Sequence, residues 1–141
     1  VTVRRAIRVR TSTPNLFPVR QPTPVIETQM RAVGIPAWET EYCFAEPIGR
    51  KWRLDYAWPS RRIGFEQEGA VFGRSITGVD GQTYRIGGRH NTGAGLQADC
   101  EKYSWAAILG WRVIRATTTM IRDGKAIELL EAAFSRIPER T

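Results

Sequence analysis

Asp55, Glu66 and Glu68 are the residues of this chain most able to do chemistry. They lie in two tracts, Arg53-Leu54-Asp55-Tyr56-Ala57-Trp58 and Arg62-Ile63-Gly64-Phe65-Glu66-Gln67-Glu68-Gly69, that read as adjacent β-strands. Side chains on a strand alternate between faces, so Glu66 and Glu68 share one side and Phe65 and Gln67 take the other. The side of the two glutamates also suits Asp55 from the preceding strand. Three carboxylates converging at strand ends offer hard oxygen donors, which suit Mg²⁺ or Mn²⁺ and disfavour soft metals. Glu41, from the strand before, is a fourth candidate acid. The plainer reading of each is a solvated surface carboxylate. Four acids on neighbouring strands, however, repel one another unless a cation sits among them. Hydrolysis of a phosphodiester needs a metal to activate water and offset the charge of the transition state, often with a cation beside the nucleophile.

The elements that must position these acids are legible in outline. Residues 1–24 carry five Arg, four Pro and no acid, and read as a basic arm with a strand-prone alternation at Ile7-Arg8-Val9-Arg10. The arm is either a contact for DNA or a partner subunit, or a solvated tail. Residues 25–141 read as one domain. A helix is expected over Val25–Val33, stopped by Gly34 and Pro36. Three antiparallel strands follow, around Tyr42, Asp55 and Glu66, with turns at Pro47–Arg50 and Pro59–Ser60. Asp80-Gly81 marks a tight hairpin between Ser75–Val79 and Gln82–Ile86, and Gly87–Gly93 reads as a loop. A helix over Leu96–Leu109, a buried strand over Trp111–Arg115 and a last helix over Lys125–Ile137 complete the domain. The fold class is α/β. Trp105, Ile108, Leu109 and Trp111 are expected in the core.

With 21 Lys and Arg against 14 Asp and Glu in 141 residues, the net charge is +7, and the sequence pI is near 10.1. Such a balance favours a nucleic-acid partner. No apolar run approaches the ~20 residues of a spanning helix, so no membrane is expected and the reading is cytoplasmic. Cys43 and Cys100 form no Cys-x-x-Cys motif and are expected as free, buried thiols. His90 is the only histidine, which excludes a histidine-rich metal site. It is either a general acid or phosphate contact beside Arg89, or an incidental loop residue. The pairs Arg4-Arg5 and Arg61-Arg62, with Arg50, Lys51, Arg74, Arg85 and Arg89, are candidate phosphate contacts that would give affinity without base specificity.

The ordered set Trp52-Arg53-Leu54-Asp55-Tyr56-Ala57-Trp58-Pro59, Glu66-x-Glu68-Gly69, Gly88-Arg89-His90, Asp99-Cys100-Glu101-Lys102-Tyr103 and Gly110-Trp111-Arg112-Val113-Ile114-Arg115 resembles the small PD-(D/E)XK nucleases of phage and bacteria. Among them it is most similar to phage Holliday junction resolvases of the archaeal type. The resemblance covers roughly residues 25–137. It implies a restriction-endonuclease-like mixed sheet flanked by helices, a homodimer, and Mg²⁺-dependent nicking of branched double-stranded DNA in the host cytoplasm. It also marks Glu27 on the first helix as a second-tier acid. The chain departs from the pattern where Glu66-Gln67-Glu68 replaces the usual Glu-x-Lys, and in an added hairpin over residues 74–86. Lys102, one turn beyond Asp99, is able to supply the missing ammonium from a helix, with an ordinary surface ion pair to Asp99 as the alternative. Asp99 either orients Lys102 or caps the helix.

The expected function is therefore a junction-resolving endonuclease with Asp55, Glu66 and Glu68 as metal ligands and Lys102 and Glu41 beside them. A very-short-patch or restriction-like duplex endonuclease, and a catalytically silent nucleic-acid-binding module, are the alternatives.

Overall fold

Four strands make one mixed sheet in the order β1-β2-β3-β6, built from β1 (Glu39–Cys43), β2 (Arg53–Trp58), β3 (Ile63–Glu68) and β6 (Arg112–Thr117). The structure, a computed structural model, describes residues 24–69, 74–86 and 93–140, with backbone alone at 74–76 and 84–86. The basic arm before residue 24, with Arg4 and Arg5, and the loop bearing Arg89 and His90 fall outside the described residues. β1, β2 and β3 form the antiparallel meander. β6 returns parallel to β3, aligning Glu66 with Arg115 and Glu68 with Thr117. Parallel pairing demands a crossover. It contains α2 (Gly93–Ile108) and a separate hairpin of β4 (Arg74–Thr77) and β5 (Thr83–Ile86).

α1 (Val25–Ala32), α3 (Thr118–Arg122) and α4 (Lys125–Arg136) cover one face of the sheet. Ile26, Met30, Ile121, Ala126 and Leu130 pack there on Tyr56, Trp58, Ile63 and Phe65. α2 covers the other face through Ala106, against Leu54, Ala57, Phe44 and Trp111. The result is the expected α/β fold with a mixed sheet flanked by helices. Among the described residues no helix is long and apolar enough to cross a membrane.

Several expectations need correction. The connection between β4 and β5 is wider than a two-residue turn, because Gly81 sits at φ +75° and its N–H donates to Gly78 while Gly78 pairs onward with Gln82. A type I turn closed by a left-handed glycine has this form. β6 is only partly buried, because as the edge strand it has a neighbour on one side alone. Ile108 is 68% exposed at the end of α2, and only Ile26 and Met30 of α1 are buried. Cys43 and Cys100 are both free, but Cys43 is half-buried and Cys100 exposed. α3 was not anticipated; its signal is Thr117, whose Oγ1 accepts from the Met120 N–H at 3.2 Å, an N-cap.

The sheet holds one irregularity. In an unbroken strand Leu54 and Tyr56 would face the same way. Here Leu54 joins the cluster under α2 while Tyr56 joins the opposite one. The β1–β2 ladder pairs Thr40 with Tyr56 and Tyr42 with Leu54 but skips the step between. At that step lie Asp55 and Glu41, the latter at φ +49°, a conformation that costs a side-chain-bearing residue about 1–2 kcal/mol. The turnover drives Leu54 against Gly64, where a Cβ would lie 2.6 Å from Leu54 Cδ1.

Leu54 is fully buried and cannot retreat. Gly64→Ala is therefore expected to destabilise the fold by about 1–3 kcal/mol through overpacking, and Leu54→Val in the same chain to recover part of that loss. Chemical denaturation of the two variants checks both.

Candidate functional site

At the turnover in β2 the Asp55 side chain is directed along the sheet toward the end of β3. Its Oδ2 accepts from the Gln67 backbone N–H at 2.8 Å, just past the last β2–β3 pair, Tyr56 with Phe65. The β2–β3 register continued by one step sets Asp55 opposite Glu66, and alternation from Ala57 puts both on the α2 side, so the residue out of alternation is Leu54. Glu66 is 7% exposed and is the one buried charged residue among those described. Its Oε1 accepts from Lys102 Nζ on α2. Burial pushes the Glu66 carboxyl up to about 7, with the Asp55 carboxylate adding to the rise and Lys102 opposing it.

Glu68 takes a different partner. One oxygen accepts from Arg115 Nε at 2.7 Å and from the Tyr103 hydroxyl at 3.4 Å. Arg115 also reaches Asp99 at 3.7 Å and lies over the Tyr103 ring, 4.0 Å from its centroid, a cation–π contact. Burial and the charges of Glu66 and Glu68 push the Tyr103 hydroxyl upward, so it stays a protonated donor. On α2, Asp99, Lys102, Tyr103 and Ala106 fall three or four residues apart and so share the face turned to the sheet.

Asp55, Glu66, Glu68, Asp99 and Lys102 line one cleft of about 530 Å³ between β2–β3 and α2. Glu41 is exposed on β1 and is not part of its lining. Glu27 accepts from the Tyr56 hydroxyl at 3.0 Å and pairs with Arg31, also away from the cleft lining. The expected three-carboxylate ligand set does not assemble: among the described residues no three His, Cys, Asp or Glu side chains sit close enough to hold an ion. Glu68 shares the cleft, but Arg115 holds it. The Asp55 and Glu66 pair nevertheless fits Mg²⁺, which keeps several waters and is commonly held by one or two carboxylates together with substrate phosphate.

The Arg61-Arg62 pair, expected at DNA, closes helix ends instead. Arg61 Nη1 donates to the Ile137 and Phe134 carbonyls at 2.6 and 3.4 Å and sits over the Phe134 ring. Arg62 Nη1 donates to the Leu109 carbonyl at the end of α2. Cations belong at helix C-termini, where carbonyls lack partners. Trp58 is likewise structural, buried against Phe134 with its Nε1 donating to Pro36. Trp52 stacks on Phe44, with Arg50 over its ring at 4.1 Å.

Two outcomes are expected. Arg62→Ala should cost about 1.5–3 kcal/mol, the scale of a charged hydrogen bond, read as a lowered midpoint in thermal unfolding. The raised Glu66 carboxyl gives stability that is fully present below its unfolded value of 4.5 and lost as pH rises through about 7. Metal-free protein should thus lose up to about 3 kcal/mol between pH 5 and pH 8, a slope that Glu66→Gln flattens. No family model matches the chain, and no curated protein or solved structure matches it either.

Proposed function

We propose that the protein is a metal-dependent endodeoxyribonuclease that cuts branched double-stranded DNA, resolving four-way junctions by paired nicks. The observation that supports it best is the meeting of Asp55, buried Glu66 and Lys102 in one cleft. Two carboxylates and an ammonium form the constellation that the resemblance to PD-(D/E)XK nucleases implies. Here the ammonium comes from a helix rather than from the strand.

Asp55 and Glu66 would hold Mg²⁺, or Mn²⁺, which when bound lowers the pKa of water and offsets phosphate charge. The Gln67 N–H fixes the rotamer of Asp55. Burial keeps Glu66 dry and its carboxyl poised near neutrality, so a cation that binds it displaces a proton. Lys102, 19% exposed at its side chain, is placed to stabilise negative charge developing on a phosphate in the cleft. Glu68, bound by Arg115 and Tyr103, orients the wall of the cleft. The reading includes a homodimer, whose two-fold symmetry matches the equivalent strands of a four-way junction, and a cytoplasmic setting.

The test is cleavage of a labelled four-way junction against a linear duplex of the same sequence, with Mg²⁺ and with EDTA. Metal-dependent paired nicks in the junction alone support the proposal, and equal cutting of both DNAs makes the protein a duplex endonuclease. Binding without cutting leaves only a nucleic-acid-binding module. Asp55→Asn and Glu66→Gln should each lower the cleavage rate by at least about a hundredfold, the loss typical of a catalytic electrostatic contact, while junction affinity is kept.

A further inference from the structure

We infer that Lys51 and Arg53 are the residues that grip the phosphate backbone where a DNA strand enters the cleft. The inference rests on the nuclease reading and assigns its substrate contact. Both residues line the cleft on the β2 side, opposite Ala98, Asp99 and Lys102 of α2, and both are exposed. The other cation of the cleft lining, Lys102, has a carboxylate partner, and so have Arg115 and Arg50 outside it. Lys102 is bound to Glu66, Arg115 to Glu68 and Asp99, and Arg50 to Glu101 at 3.1 Å while covering Trp52. Among the described residues Lys51 and Arg53 have no ion pair.

An acid-floored cleft repels a polyanion unless cations at its lip lower the potential. The two unpaired cations occupy that lip, two residues apart and just before Asp55. Their chemistry is that of phosphate contacts: flexible or forked donors that carry no base specificity. Arg50 continues the same tract but pairs with Glu101 and covers Trp52, so the tract divides into one paired cation and two that remain for a ligand. Arg61 and Arg62, which a count of basic pairs favours, are consumed as helix caps.

The experiment is fluorescence anisotropy of the full chain with a labelled four-way junction and with a linear duplex, across a salt series, in EDTA and separately in Ca²⁺. Lys51→Ala/Arg53→Ala is compared with Arg112→Ala/Arg136→Ala, which removes equal charge from exposed positions outside the cleft lining. The cleft pair should weaken binding about tenfold or more and make the log–log salt slope shallower by about two. The control pair should change the slope by much less, and Lys51→Arg/Arg53→Lys should restore affinity. If the two double variants behave alike, the assignment is wrong while the nuclease reading stands. If the wild-type chain binds neither DNA under either condition, both fail.

Discussion

A carboxylate with 7% exposure must be matched by a cation or lose its charge, and Glu66 is that carboxylate. The need shapes the domain around it. β3 carries no cation of its own, so one for Glu66 has to come from the element packed on that face, and α2 supplies Lys102. α2 lies on this face because β6 runs parallel to β3, which requires a crossover. The same parallel register brings Arg115 level with Glu66 on the neighbouring strand, from where it reaches Glu68. A buried ion pair seldom adds net stability over an apolar isostere, since desolvation offsets attraction. Its retention here is more readily understood as serving the cleft than as serving the fold.

The charges in the cleft are divided into two sets. Asp55, Glu66 and Lys102 form one, and Glu68 and Asp99, held by Arg115 from outside the lining, the other, with Tyr103 between them. Tyr103 donates to Glu68, takes Arg115 on its ring and has Lys102 Nζ 5.3 Å from its centroid. The division lowers the repulsion among the four acids that line the cleft. It also explains why a carboxylate pair, rather than a triad, is left for a cation.

The meander, α1 and α4 were legible because hydrophobic period and turn residues agree along those stretches, and α2 through the glycine that ends it: Gly34, Gly49, Gly110 and Gly124 all take positive φ at element ends. That Asp55 and Glu66 share one side was legible from the adjacent strands, and Lys102 was singled out because the strand lacks a lysine; all three line one cleft. What failed were inferences from pattern alone. β2 was read as alternating throughout, but the β1–β2 ladder skips the step at Glu41 and Asp55 and Leu54 falls on the α2 side, which nothing local announces. Arg61 and Arg62 read as a basic pair, but their partners are carbonyls 47 to 76 residues away. Glu41 read as a fourth acid because it precedes Asp55 by one strand, yet it takes the exposed side of the same irregularity.

The overall charge is a weaker guide to partners than its arrangement. The first 24 residues carry five arginines and no acid, so the remaining chain has a net charge of only +2. Within it, Arg31, Arg50, Arg115 and Lys102 are ion-paired, and Arg61 and Arg62 cap helices. A nearly neutral domain with an acidic cleft floor has little general attraction for DNA at physiological salt, where the screening length is about 8 Å. Under the proposed nuclease reading, contact with DNA would come from the few cations left within that distance of Asp55 and Glu66. Affinity in such an arrangement is tied to position, because a phosphate held at the lip of the cleft is held near Asp55 and Glu66. Charge spread evenly over the surface would bind DNA as tightly without delivering it there.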